Sequence, residues 1–249
     1  MLARAGLATA MAFRDQRRRP LVLILLVIVP AYLITRSIAQ TLATPRAIGL
    51  PDGVWVTTTM KDLHGAGMGG FAIAFTVALV GVFVMQSALA GDRRLVVAGF
   101  RPGEAVLARL VVLVVATALV VAVAAVTTAL NFTPASWPPL IAGLVLIGLV
   151  YGAIGALAGA VLDKLAATYV MLFLVITDLG VVQSPMFGDG APDRWAMLLP
   201  GYGPARAMYD GAFSESFHAG GELLIGVGWL AVLGAAVYLV LRRAVGTRL

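Results

Sequence analysis

Residues Gly91–Glu104, with the sequence GDRRLVVAGFRPGE, form a basic interruption between two long apolar runs. The first run opens near Met68, and the second is entered through Arg109. Three arginines flank a short apolar turn, and Pro102 interrupts any helix that reaches it. The stretch is too charged to span a bilayer and too short to form a core. We therefore predict that residues 91–109, the basic segment, contain a short helix at the inner membrane surface that faces the cytosol.

The composition identifies an integral membrane protein. Of the 249 residues, 61% are hydrophobic and 12% are charged, and the mean hydropathy is +0.97. The absence of cysteine from the sequence excludes disulfides and thiolate metal sites. A net charge of +6 suits membrane topology better than nucleic-acid binding, because no platform of aromatic and basic residues accompanies it. The only histidines, His64 and His218, lack the spacing of a zinc site. We expect neither a metal nor a nucleic-acid partner.

Apolar runs long enough to cross a bilayer dominate the chain. A hydrocarbon core of about 30 Å requires about 20 apolar residues as a helix. The runs are continuous rather than alternating, which excludes barrel strands. The sequence therefore predicts an all-α polytopic membrane protein, a single domain over residues 1–249 with six spans. These spans cover residues 21–41, 67–90, 106–130, 138–162, 165–184 and 221–241.

The distribution of basic residues predicts the orientation. With both termini inside, 13 of the 18 lysines and arginines fall on the cytosolic side, as the positive-inside rule favours. The start of the chain resembles a signal peptide, with a cleavage site near Ala39, but its charged leader is long for one. We instead expect residues 1–20 to form a helix along the inner surface. The predicted location is the bacterial inner membrane, with cytoplasmic termini.

Two predicted external segments contain local structure. Residues 42–66 include a Pro51-Asp52-Gly53 turn and a β-favouring stretch over 54–59. Residues 185–220 combine prolines with aromatic side chains, and residues 204–210 read as a short helix. Such pieces belong at the membrane interface or dip into the membrane from it. We predict interfacial or re-entrant helices over 185–220.

Glycine motifs give no evidence for nucleotide binding by this chain. Gly65, Gly67 and Gly70 match a dinucleotide-binding pattern, but that pattern requires a preceding strand and a βαβ unit. No phosphate-binding loop ending in Gly-Lys-Ser/Thr occurs, and the only lysines are Lys61 and Lys164. The chain is therefore not expected to hydrolyse ATP itself, and no catalytic residue or cofactor is assigned to it.

Two features inside the predicted spans invite a functional interpretation. In span four the glycines have the small-xxx-small spacing that allows close helix approach, either between subunits or within one; they are Gly148, Gly152, Gly155 and Gly159. In span five Asp178 is the one acid well inside a span. A charge there is costly, so Asp178 should face protein or water. It could bind a proton or a cationic substrate, or pair with a neighbour.

The stretch Gln86–Arg109, QSALAGDRRLVVAGFRPGEAVLAR, resembles part of the membrane subunit of an ATP-binding-cassette exporter of the type 2 permease kind. The basic leader, the six spans and the external helices before the last span extend the resemblance over nearly the whole chain. In that family the segment between spans two and three is a coupling helix seated in a groove of the ATPase. The resemblance implies that the ATPase is contacted by Asp92, Arg93, Arg94, Gly99, Phe100, Arg101 and Glu104.

The resemblance also implies partners and a cargo. A separate ATPase subunit would bind ATP and Mg²⁺, and the chain would pair with itself or with a sister permease in the lipid membrane. The cargo would be hydrophobic or amphipathic, such as a drug, an antibiotic, a lipid or a peptide. Two alternatives remain open: an ion-coupled secondary transporter that uses Asp178, and a scaffold or sensor subunit that does not transport.

Overall fold

A computed structural model describes residues 20–97, 102–187 and 189–246. Seven α-helices and a two-stranded hairpin make up this part of the chain. In chain order they are α1 Pro20–Gln40, β1 Pro45–Gly49, β2 Trp55–Thr59, α2 Met60–Val97, α3 Pro102–Asn131, α4 Trp137–Val161, α5 Lys164–Val175, α6 Tyr202–Phe213 and α7 Gly220–Gly246. A π-helical turn, Ile176–Val182, continues α5, and a 3-10 helix, Arg194–Leu198, precedes α6.

The prediction of an all-α polytopic membrane protein is confirmed. Five helices are long and apolar enough to cross a membrane, and they belong to α2, α3, α4, α5 with its π-helical turn, and α7. The apolar part of α1 that the structure describes, Leu26–Gln40, is shorter. The first of the six predicted spans therefore stays a prediction. The predicted interfacial helix over 1–20 lies outside the described residues, apart from Pro20.

The long helix α2 differs from the prediction at both ends. It begins at Met60 rather than at residue 67 and continues to Val97, because residues 60–64 and 91–97 contain no proline or glycine pair that would end a helix. Its 38 residues extend for about 57 Å at 1.5 Å per residue. That length exceeds a hydrocarbon core of about 30 Å, so α2 must project beyond the bilayer.

The predicted turn and β-favouring stretch belong to a β-hairpin between α1 and α2. Strands β1 and β2 pair antiparallel, from Pro45 opposite Thr59 to Gly49 opposite Trp55. The turn uses the predicted Pro51-Asp52-Gly53 sequence, in which Asp52 adopts a φ of 55° and Gly53 a φ of 71°. Residues 45–59 are called the hairpin below, and the end of the helices beside them is the hairpin end. The opposite end, at Val97 and Pro102, is the basic end.

Helix α4 lies at the centre of the bundle. It packs along α2, α6 and α7, with α3 and α5 also in contact. The interior includes Tyr151 and Ile147 of α4 and Ile73 of α2, none of which exposes side-chain surface. Large apolar side chains remain exposed on the outer faces of α1, α3, α5 and α7, as expected for surfaces that meet lipid.

Candidate functional site

The basic segment is built from the facing ends of α2 and α3. Asp92, Arg93 and Arg94 lie in the last two turns of α2, and Glu104 lies in the first turn of α3. Gly99, Phe100 and Arg101 fall outside the described residues. Residues 91–97 continue α2 and do not begin the short helix predicted within residues 91–109. Pro102 begins α3 rather than ending a helix, because proline suits the first helical position.

Side-chain contacts fix the helices just inside the basic segment. The Arg109 guanidinium donates from Nη1 to Ser87 Oγ at 3.5 Å, joining α3 to α2. The Gln86 amide donates to the Leu162 carbonyl at 3.4 Å, which joins α2 to the end of α4. The Lys164 ammonium lies 4.9 Å from the centre of the Phe83 ring, within cation–π range. A displacement of the basic segment would therefore move these helix ends together.

The turn between α4 and α5 lies at the same end of the molecule. The Asp163 carboxylate accepts from the backbone N–H groups of Leu165 at 2.9 Å and Ala166 at 3.0 Å. It thereby caps the first turn of α5. This cap explains how so short a connection between two membrane-length helices satisfies its backbone groups.

Asp178 lies in the π-helical turn and is 4% exposed. Its carboxylate accepts from the Tyr151 hydroxyl at 2.6 Å, from the Gln183 amide at 3.0 Å and from the Gly201 N–H at 3.0 Å. The Gln183 amide also donates to the Ala196 carbonyl at 3.2 Å. Asp178 thus connects α4, α5 and the segment leading into α6, and it faces protein, as one of the sequence interpretations required.

The four glycines of α4 lie against other helices of the same chain. A Cβ added at Gly155 would collide with the Ala78 backbone of α2. One at Gly159 would lie 2.7 Å from the Val82 carbonyl oxygen. Added Cβ atoms at Gly152 and Gly148 would meet Val77 of α2 and Thr117 of α3, at 2.9 and 2.5 Å. The small residues thus permit close packing of α4 on α2 and α3.

Helix α6 is buried at the hairpin end. It includes residues 204–210, which the sequence predicted to be helical, and its ten central residues, 203–212, are all buried. Tyr209 and Met208 face the glycines of α2: a Cβ added at Gly67 would lie 2.8 Å from Tyr209 Oη, and one at Gly70 would lie 2.8 Å from Met208 Sδ. The glycine motif therefore lies inside α2 and allows α6 to pack closely against it. A dinucleotide site would instead need the motif to follow a strand and open a helix.

Two charged residues of α6 are buried, which the sequence did not predict. Arg206 is 7% exposed and donates from Nη1 to the Gly49 carbonyl at 2.5 Å; burial lowers the pKa of its guanidinium. Asp210 is 1% exposed and accepts from the N–H groups of His218 at 2.7 Å and Ala219 at 3.0 Å. Their four-residue spacing on a helix that contains no other charge was the available signal.

Asp210 connects α6 to the last helix of the chain. Its two donors, His218 and Ala219, immediately precede α7 at Gly220. A carboxylate is stabilised there, because the first N–H groups of a helix have no partner within it. Within the ranges that the structure describes, no group of three histidine, aspartate or glutamate side chains could hold a metal ion.

Comparison with known proteins identifies the family. Residues 56–242 match the family described as ABC-2 family transporter protein, which is well over half of the chain. No curated protein matches it. The matched region contains the five membrane-length helices, the basic segment and helix α6. The chain therefore belongs to the ABC-2 transporter family and is a multi-pass membrane permease of an ABC transporter.

Proposed function

We propose that the chain is one half of an ATP-driven exporter for a hydrophobic or amphipathic cargo. Membership of the family implies partnership with an ATP-binding subunit and, often, with another permease. In this proposal six spans place both termini in the cytoplasm of a bacterial cell, and two permease subunits form the path. The ATPase binds ATP and Mg²⁺, and the permease supplies no catalytic residue.

The observation that carries the proposal is the length and position of α2. The span predicted within α2 ends at residue 90, and residues 91–97 continue the same helix for about 10 Å. Arg93 and Arg94 lie on this continuation. A continuous helix transmits displacement along its axis better than a jointed loop would. A partner that moves the basic segment would therefore shift the membrane part of α2.

The composition of the spans supports the proposed cargo class. Each of the five membrane-length helices holds an 18-residue window with no more than two charged residues, which offers few ionic partners to a strongly charged solute. Asp178, the one acid well inside them, is occupied by three donors. Apolar walls favour a cargo that partitions into lipid, such as a drug, an antibiotic, a lipid or an apolar peptide.

Charge reversal at the basic segment tests the proposal. Arg93→Glu with Arg94→Glu should reduce co-purification of the ATPase at least about tenfold, because like charges at an interface oppose association. The readouts are pull-down of the ATPase and ATP turnover in proteoliposomes. The matched control is Arg242→Glu with Arg243→Glu, which makes the same charge change at exposed positions of α7. Full co-purification and turnover in the first variant would overturn the docking assignment.

The ion-coupled alternative makes a different use of Asp178. It requires the carboxylate to exchange a proton or cation with water, whereas the contacts of Asp178 favour a fixed role in packing. It predicts cargo movement with a proton gradient and no ATPase. The scaffold alternative predicts that no cargo stimulates ATP turnover in liposomes. Neither alternative accounts for the continuation of α2 into the basic segment.

A further inference from the structure

Three segments of the chain meet at Gly49, the last residue of β1. The Gly49 carbonyl accepts from Arg206 Nη1 at 2.5 Å, and the Gly49 N–H donates to the Gly190 carbonyl at 3.0 Å. Gly190 has a φ of 87°, and a Cβ there would lie 2.6 Å from the Ala47 carbonyl oxygen. Only glycine fits both that angle and that approach. Gly49, Gly190 and Arg206 are called the latch below.

The hairpin is attached to α1 and α2 with little slack. Strand β2 ends at Thr59, and α2 begins at the next residue, Met60. The Met60 N–H donates to the Thr44 carbonyl at 2.8 Å, which closes the base of the hairpin. On the other side only residues 41–44 separate α1 from β1. A change in the angle between α1 and α2 must therefore displace the hairpin.

Helix α6, by contrast, is held mainly by α4 and α7, although Tyr209 and Met208 also contact α2. The Ala135 and Ser136 N–H groups, just before α4, donate to the Ala212 and Gly211 carbonyls of α6 at 3.0 and 2.8 Å. Asp210 caps the start of α7 through two hydrogen bonds. Arg206 thus joins two parts of the molecule. The hairpin is connected to α1 and α2 and would move with them, whereas α6 would move mainly with α4 and α7.

The Arg206 contact is poorly compensated for a buried cation. Its side chain is 7% exposed, and among the described residues its Nε atom has no hydrogen-bond partner. Asp210, Glu222 and Tyr202 lie near enough to favour its charge, but none is within ion-pair distance in the part of the chain described. If the contact opens to water, rehydration of the guanidinium offsets the lost hydrogen bond, because burial had removed that hydration.

We propose that the hairpin is a lid over α6, held closed by the latch and released during the transport cycle. This proposal rests on the proposed function, since the motion that releases the lid originates at the ATPase. Movement of the basic segment changes the tilt of α2, the hairpin follows, and the Gly49 carbonyl leaves Arg206. This motion exposes the inner face of the hairpin to water. In the closed state Ile48 and Leu50 on that face are 0% and 2% exposed.

The absence of native cysteine permits a disulfide test. A Cβ added at Gly49 lies 3.0 Å from the Ala191 Cβ, slightly closer than the roughly 3.5–4.5 Å of a disulfide. Gly49→Cys with Ala191→Cys therefore reports latch closure. The control is Ala47→Cys with Thr57→Cys, a directly opposed and exposed pair within the hairpin. Disulfide formation with copper phenanthroline is timed in the permease–ATPase complex, without nucleotide and after trapping with ATP and vanadate.

If the hairpin is a lid, trapping with ATP and vanadate should slow disulfide formation between positions 49 and 191 by at least about tenfold. Disulfide formation in the control pair, 47 and 57, should keep the same rate. Equal rates in both states, in a complex whose ATP turnover vanadate abolishes, would overturn the lid and leave the proposed function standing. Slowing of both pairs would also overturn it, because the hairpin itself would then have changed. A complex that shows no vanadate-sensitive ATP turnover would contradict the proposed function, and the lid with it.

A second measurement does not require a residue larger than glycine at position 49. Ile48→Cys lies on the buried face of β1, and Ala47→Cys lies on its exposed face. A membrane-impermeant maleimide should label the cysteine at 48 at least about ten times faster in the trapped state, and the cysteine at 47 equally in both states. Protection of position 48 in both states would contradict the lid.

Discussion

The carboxylate of Asp178 and the guanidinium of Arg206 represent two ways of burying a charge. Asp178 accepts three hydrogen bonds from groups on different elements, which compensates the loss of water. Arg206 makes one hydrogen bond and leaves Nε without a partner among the described residues. A well-compensated charge stabilises the fold, whereas a poorly compensated one suits a contact that must open.

Substitution of Asp178 should reveal a stabilising role. Asp178→Asn replaces one of the two acceptor oxygens with an NH2 donor. In either amide orientation this donor faces a group that now donates, either Gln183 Nε2 or Tyr151 Oη with the Gly201 N–H. We expect the melting temperature in detergent to fall by about 5 °C, with smaller loss in Tyr151→Phe, which removes one donor. ATP-driven activity of the folded fraction should not depend on a proton gradient in either variant. Loss of activity in Asp178→Asn at an unchanged melting temperature would instead favour the ion-coupled alternative.

The sequence reveals a buried charge more easily than its partners. Asp178 stands out because the rest of its span is apolar. Its donors, Tyr151 and Gly201, lie 27 and 23 residues away along the chain, and only the tertiary fold brings them together. Arg206 was assigned to an external segment because topology rules count charges and do not see burial. For the same reason, the sequence could not show that Gly49 is its acceptor.

Among the helices, the contact between α2 and α4 depends on glycines, which have no side chain to keep the two backbones apart. Gly155 and Gly159 of α4 contact the backbone of Ala78 and Val82 on α2. Gly81 of α2 in turn approaches the backbone of Gly152. Without a hydrophobic driving force in lipid, helices gain stability from such close packing. The small-xxx-small spacing predicted close approach, but it did not identify the partner helix.

Replacement of glycine by alanine should destabilise the protein where the glycine contacts another helix and not where it faces open space. Gly155→Ala would place its Cβ against the Ala78 backbone, and we expect a loss of about 1–3 kcal/mol in stability. Gly228→Ala, on α7 with nothing within 4 Å, is the matched control and should be neutral or slightly stabilising, since alanine favours helix. Thermal unfolding of the two variants in the same detergent measures the difference. Equal melting temperatures would show that α2 and α4 can separate without cost.

The positions of the membrane-length helices could be read from the sequence, but their ends could not. Apolar runs predicted α3, α4, α5 with its π-helical turn, and α7 closely because lipid demands about 20 apolar residues. The predicted span in α2 starts at residue 67, although residues 60–66 are also helical. Polar residues such as Lys61 and Asp62 end the apolar run, so hydropathy does not detect the part of the helix outside the bilayer. The Pro51-Asp52-Gly53 turn was readable, because turn chemistry is local.

At the scale of the whole molecule, α2 connects two sites at opposite ends. Its last turns carry Arg93 and Arg94, and its first residue follows directly from the hairpin. Force applied at the basic end therefore has a continuous helical route to the lid. The glycine contacts with α4 keep α2 within the bundle while it moves. This route unites the proposed docking surface, the membrane spans and the latch in one mechanism.

Site-specific photo-crosslinking can show whether the basic segment contacts the ATPase. A benzophenone amino acid is placed at Phe100, and the same probe at Leu198, which is 72% exposed near the hairpin end, serves as the control. The probe at 100 is predicted to form a covalent adduct with the ATPase in intact cells, and the probe at 198 none. An adduct only at 198, or none at 100 in a complex that co-purifies intact, would contradict the account.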